Sequence, residues 1–421
     1  MFEGAPVNTG AVVWPDPDSA SFAVRRMQVK LHRRATEESG RRYGDLFNLV
    51  RDPALLVHAW ERVRQNKGSR TPGVDGATVA LIESRIGVDA FLQEIRDRLR
   101  SRTFTPVGVR QVEIPKSNGK VRRLGIPTVG DRVVQAALKA VLEPIFEADF
   151  VSCSYGFRPN RRAQDAVSEI QYLTSRTYEW VLEADIEACF DTIDHAALMG
   201  RIRSRISDAR VLSLVKAFLR SGVMTTSGDR QETLTGTPQG GILSPLLANI
   251  ALSLLDEHFS REWEQQMGTS PRRNARRRRG EANYRLIRYA DDFVVVVAGE
   301  RCHADRLRQR VTGVLAPMGL RLPRFSHPPD AKTRDGQVLR LHRGVQEGDR
   351  LDQGQGADTD QQIDPAHEPG RTAHQYRPGP AGVGELFPAR SVQGRVQCDR
   401  LLRVGEDREV DTAQAQPDRV A

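Results

Sequence analysis

Ile287-Arg288-Tyr289-Ala290-Asp291-Asp292-Phe293-Val294-Val295-Val296-Val297 decides how this chain is read. β-Branched and aromatic residues on both sides favour strand, yet two adjacent acids interrupt them. A buried carboxylate is costly unless a cation neutralises it. The stretch therefore predicts a tight hairpin that presents oxygen atoms to a metal ion. A second apolar segment also ends on an acid: Val181-Leu182-Glu183-Ala184-Asp185, followed by Ile186-Glu187-Ala188-Cys189-Phe190-Asp191. Trp180–Ile186 and Leu286–Val297 both read as strand sequence.

Hard carboxylate oxygens suit Mg²⁺, which takes one or two carboxylates together with substrate phosphates. Asp185 beside Asp291 would hold two such ions about 3.5–4 Å apart, one activating an attacking hydroxyl and the other stabilising a leaving group. Successive strand side chains point to opposite faces, so Asp291 and Asp292 are unequal ligands, with Asp291 preferred.

The rest of the chain sets bounds on this reading. Its 421 residues carry 63 Lys and Arg against 54 Asp and Glu, a net charge of +9. With a pI near 9.7, that excess fits an acidic partner, nucleic acid above all. The longest apolar run is far too short to cross a bilayer, and no secretory signal opens the chain, so no membrane partner is expected. The four cysteines, Cys153, Cys189, Cys302 and Cys398, form no CxxC pair. They predict neither a disulfide framework nor a structural zinc site, and place the protein in the reducing cytoplasm.

Three regions are expected. Residues 1–45 form a basic extension, with a solvated helix over Met27–Arg42. Residues 46–322 read as one α/β body, α+β in arrangement, with helices over Asp131–Phe146, Ala163–Leu173 and His195–Ile206. Within it, Gln266–Glu281 carries Arg272, Arg273 and Arg276–Arg279. This polar insertion is expected to be an exposed loop, and its arginines suit a nucleic-acid backbone.

Several segments then carry a family resemblance, in order along the chain. Tyr289-Ala290-Asp291-Asp292 resembles the YxDD box of reverse transcriptases. Its neighbours resemble those of bacterial group II intron reverse transcriptase/maturases: Asn66–Gly76, Val112–Pro127, Ser154-Tyr155-Gly156-Phe157-Arg158-Pro159, and Gly236–Pro245 with its Pro238-Gln239-Gly240-Gly241 core. The resemblance covers roughly residues 45–322.

It implies a right-hand polymerase with fingers and an antiparallel palm sheet. Asp185, Asp291 and Asp292 become the catalytic acids and the ligands of two Mg²⁺ ions. Lys116 and Arg122 hold the triphosphate, and their chemistry fits, since Arg offers paired donors to phosphate and Lys a point charge. Phe190 packs against the incoming sugar and excludes a 2′-hydroxyl, and Gln239 lies beside the nucleotide. The implied activity is RNA-directed DNA polymerase, a nucleotidyltransferase. Its implied partners are group II intron RNA, an RNA template with a DNA primer, and deoxynucleoside triphosphates. Rival readings are an RNA-binding splicing cofactor without useful synthesis, a domesticated retron or CRISPR-linked relative, and an inert remnant of a mobile element.

Residues 323–421 break the pattern. They hold one Lys against thirteen Arg and three aromatics, Phe325, Tyr376 and Phe387. Such a composition does not bury enough apolar surface to offset chain entropy, so a largely disordered tail is expected. The family's Phe-Leu-Gly-Phe strand, helical thumb and occasional zinc endonuclease are not legible there. The expectation is a tail translated out of frame. Codons allowed for Gly382–Arg400 permit a one-base shift that begins Gly-Trp-Ala-Asn-Cys-Phe, which resembles the maturase thumb signature.

Overall fold

Two four-stranded sheets organise the protein. A computed structural model describes residues 12–115, 121–225, 229–323 and 338–340. The strands are β1 (Val109–Pro115), β2 (Val121–Ile126), β3 (Trp180–Ala184), β4 (Val223–Met224), β5 (Arg230–Gln231), β6 (Asn283–Tyr289), β7 (Asp292–Ala298) and β8 (Val338–Arg340). The first sheet has the order β2-β1-β4-β5, and the second has the order β6-β7-β3-β8. Every neighbouring pair in the second sheet is antiparallel. This is the expected palm sheet, and the first sheet carries the expected fingers hairpin.

The valine run of β7 follows from burial on both faces. Leu182, Ala184, Phe293, Val295 and Val297 face the main core. Val181, Ile287, Val296 and Ala298 face a smaller cluster with Tyr155, Ala166 and Tyr178. The helix Ala163–Thr174 packs on this second side.

The helix Val129–Glu147 matches the expected one and is buried nearly all round. Thr128 caps it by accepting the Asp131 amide. Pro144 lies inside this helix and has no N–H to give to the Ala140 carbonyl one turn back. Gln28 supplies the missing donor, its Nε2 lying 3.1 Å from the Ala140 oxygen. Gln28 belongs to the helix Pro17–Glu37, which buries Ala20, Val24, Leu31 and Ala35. It packs on Pro53–Gln65 and Val129–Glu147. The basic extension is thus fastened to the body by one face, while Arg25, Arg26, Lys30, Arg33 and Arg34 stay exposed.

One expectation needs correction. The polar insertion is a helix, Ser270–Arg278, not a loop. Arg is a good helix former, Pro271 suits the first turn, and Gly280 at φ +75° ends the helix. Tertiary bonds hold it: Arg276 donates to the Ala282 carbonyl, and Asn283 donates to that of Arg273. Within the tail, Val338–Arg340 forms β8 along the β3 edge. An unpaired edge strand offers a row of hydrogen-bonding groups that favours such addition. The remaining tail residues lie outside the described ones. No described helix is long and apolar enough to cross a membrane.

Candidate active site

β6 and β7 pair up to Tyr289 and Asp292, leaving Ala290 and Asp291 as a two-residue turn. The expected hairpin is therefore present, with Asp291 at its tip and Asp292 opening β7. Ala290 has a φ of +59°, a left-handed conformation that costs an L-residue about 1–2 kcal/mol. Neighbouring structure holds it there. The backbone of Gly156 lies against the Tyr289–Ala290 peptide so closely that any β-carbon would collide. The Arg288 guanidinium donates to the Ala290 carbonyl at 2.6 Å.

β3 runs antiparallel to β7 with Ala184 opposite Phe293. One further step brings Asp185 level with Asp292. All three aspartates are half-buried. Cys189, the first residue of the short helix Cys189–Thr192, lies buried beside them. Burial raises its thiol pKa, the charge of Asp291 raises it further, Arg288 opposes, and Asp185 and Asp191 add to the rise. One thiol therefore feels two carboxylates that lie more than a hundred positions apart in the chain.

Among the described residues, no three His, Cys, Asp or Glu side chains close into a metal cage. Asp185 and Asp291, whose charges both act on Cys189, offer hard carboxylate oxygens at this end of the sheet. Such oxygens fit Mg²⁺, which keeps several waters and completes its shell with substrate phosphates.

The fingers hairpin meets this region through Gln239. Arg122 on β2 donates from Nε to Gln239 Oε1 at 3.3 Å, and the Gly125 amide donates to the Gln239 carbonyl at 2.7 Å. Gly240, at φ +110°, approaches β2 so closely that a β-carbon would lie 2.6 Å from the Gly125 oxygen. Lys116 lies outside the described residues. Phe190 is half-buried, and its carbonyl accepts from the Thr237 amide. Its ring meets Phe157 edge-on, with centroids 6.5 Å apart. Phe157 has a φ of +59° and is partly exposed; it belongs to the Ser154–Pro159 segment, but no role was assigned to it from the sequence.

The sequence reading also missed Arg288, Asp256 and Asn249. Asp256 and Asn249 stand out only as polar residues seven apart in the largely apolar helix Ser244–Glu262, a spacing that puts them on one face.

Residues 114–324 match the family described as Reverse transcriptase (RNA-dependent DNA polymerase). The chain belongs to the reverse transcriptase family. Protein YkfC of Escherichia coli is 34% identical to it, covering 78% of this chain and 90% of that protein. Group II intron-encoded protein LtrA of Lactococcus lactis is 38% identical, over 50% of this chain and 34% of LtrA. A solved partial Cas6-RT-Cas1--Cas2 complex is similar at 21% identity and a TM-score of 0.37, covering 64% of this chain and 42% of that one. This reverse transcriptase thus spans most of one curated relative and about a third of another. Its relatives among intron-encoded proteins agree with the group II intron resemblance of its motifs.

Proposed function

We propose that this reverse transcriptase extends a primer 3′-hydroxyl with deoxynucleotides on an RNA template, in the service of a group II intron. The observation that carries this reading is the register of the palm sheet, which brings Asp185 level with Asp292 at the end where Asp291 tips the β6–β7 turn. Asp185 and Asp291 would hold the metal, with Asp292 beside them. Two divalent ions held by these carboxylates would supply, one each, a lowered pKa for the attacking hydroxyl and stabilisation of the leaving pyrophosphate. Arg122 offers paired N–H donors to the triphosphate, and Gln239 orients that guanidinium. Lys116 is assigned the same partner. Phe190 presents its ring to the sugar and disfavours a 2′-hydroxyl.

The protein acts in the cytoplasm, where intron RNA is transcribed. The cationic helix Ser270–Arg278 favours a second activity, retention of intron RNA during splicing, because it lies at the opposite end of β6 from the acids. The tail from residue 323 is proposed to be out of frame. Loss of the thumb would remove one wall of the primer–template cleft and leave synthesis feeble.

Primer extension with Mg²⁺ on an RNA template tests the activity. Short extension by the chain, abolished in Asp291→Ala with RNA binding retained, supports the polymerase reading. Extension unchanged in Asp291→Ala refutes it. Sequencing the gene across the codons for residues 315–335 tests the frame, and an uninterrupted alternative frame is expected beyond them.

A further inference from the structure

Arg288 is a cation with no contact to water, 0% exposed, facing an equally buried Asp256. A buried ion pair is an expensive way to stabilise a core, since well-packed apolar residues serve as well or better. Its hydrogen bonds show what this pair holds in place. Nε and one terminal nitrogen donate to the two Asp256 oxygens at 2.7 and 2.5 Å. That terminal nitrogen also donates to Ser154 Oγ at 2.6 Å. The other donates to Asn249 Oδ1 at 3.0 Å and to the Ala290 carbonyl at 2.6 Å. All five guanidinium N–H donors are therefore used.

The network reaches three separate motifs. The Arg288 amide donates to the Cys153 carbonyl, and the Arg288 carbonyl accepts from the Tyr155 amide, both at 2.8 Å. Asn249 completes the circuit by donating from Nδ2 to the Gly156 carbonyl at 2.9 Å. Gly156 in turn lies against Ala290.

One member of this network is not structural filler. The Ala290 carbonyl belongs to the peptide bond that leads into Asp291, and Ala290 is the left-handed residue of the turn. Such a conformation persists only where its surroundings over-determine it. Rotation of that peptide would swing the Asp291 carboxylate away from Asp185.

We propose that Arg288, charge-balanced by Asp256 and oriented by Asn249 and Ser154, is a positioning residue that aims Asp291 at the metal. The inference rests on the reading of Asp291 as a metal ligand. Arg288 touches no reacting atom. It holds the carbonyl that precedes the ligand, at 2.6 Å. Its contribution is therefore geometric. Lysine has neither the five donors nor the planar fork to replace it.

The experiment uses the full chain and measures Mn²⁺ binding by electron paramagnetic resonance, alongside thermal unfolding and the Mg²⁺ dependence of primer extension. Three variants are compared with the parent: Asp291→Ala, the paired change Arg288→Met with Asp256→Leu, and Asn249→Ala. The paired change removes both charges and leaves neither unpartnered. The expected result is a melting temperature within a few degrees of the parent, Mn²⁺ binding weakened about tenfold or more, and a higher Mg²⁺ requirement at an unchanged nucleotide KM. Asn249→Ala is expected to weaken Mn²⁺ binding a few-fold, and it decides the matter should the paired variant not fold.

A purely structural role would move the melting temperature and leave Mn²⁺ affinity alone, and that result overturns the inference. Asp291→Ala separates the two layers. If it leaves Mn²⁺ binding at the parent level, the metal reading itself fails. If it weakens binding while the folded paired variant and Asn249→Ala do not, only the positioning role fails.

Discussion

Gly156 and Ala290 meet backbone to backbone: a β-carbon built on Gly156 would lie 2.1 Å from the Ala290 nitrogen. Residues from two motifs more than 130 positions apart thus share one van der Waals contact, and only glycine permits it. Gly156→Ala is expected to push the acidic turn outward at a cost of about 1–3 kcal/mol, the usual range for overpacking. The melting temperature should fall by several degrees. Primer extension should fall further than RNA binding, because the displaced peptide leads into Asp291. An unshifted thermal transition would count against this contact.

Arg122 and Gln239 form the link between the fingers strand and the glycine-rich loop, at 3.3 Å. A hydrogen bond to a charged group contributes about 1.5–3 kcal/mol. Arg122→Ala should therefore raise the KM for deoxynucleotides by roughly 10- to 100-fold. Gln239→Ala should raise it less. The double variant should cost less than the product of the two, since they share a contact. Steady-state kinetics on a homopolymeric template reads all three.

Arg277 and Arg278 are exposed on the cationic helix. Arg277 donates to Asn274 within its own helix, an exposed contact that leaves its charge available. Each phosphate neutralised on a single strand contributes about 0.7 to the salt slope of binding. Replacing both with alanine should flatten the plot of log affinity against log salt by about 1 to 1.5, read by fluorescence anisotropy on intron RNA. The Mg²⁺ requirement of primer extension should not change, because the helix and the acids lie at opposite ends of β6.

Asp131 has a pH signature of its own. Burial pushes its pKa from 3.8 up to about 6, against the opposing hydrogen bonds from Thr128 and Val107. A raised folded-state value means that folding favours the protonated form. The stability linked to this group is fully present below pH 3.8 and is lost as the pH rises through about 6. Asp131→Asn has no charge to bury. It should be more stable than the parent at pH 7.5 by up to roughly 3 kcal/mol, at 1.36 kcal/mol per pKa unit. The gap should close by pH 4, and urea denaturation at the two pH values tests both halves.

Much of the fold was legible because its signals are local. Runs of β-branched and apolar residues marked β3, β6 and β7, and the helical period marked Val129–Glu147 within a residue or two. The arginine-rich insertion was misread because its polarity hides any period. Its helix depends on Asn283 and Ala282, which become neighbours only when β6 is in place. Pro144 would have argued against a continuous helix, and only Gln28, on another helix, explains why it is tolerated. Arg288 gave no signal either, because its partner Asp256 lies 32 residues away and each looks ordinary in its own segment.

By itself, the amino-acid order determined where acids interrupt apolar strands, and therefore where a tight turn must carry carboxylates. That is a matter of side-chain chemistry over a few residues. Tertiary structure alone decided that Asp185 draws level with Asp292, that Gly156 seats Ala290 in a left-handed conformation, and that Arg288 holds the peptide leading into Asp291. These contacts close long loops, and the entropy of closing them is offset only when many distant segments pack at once. No local pattern in the chain records which segments those are.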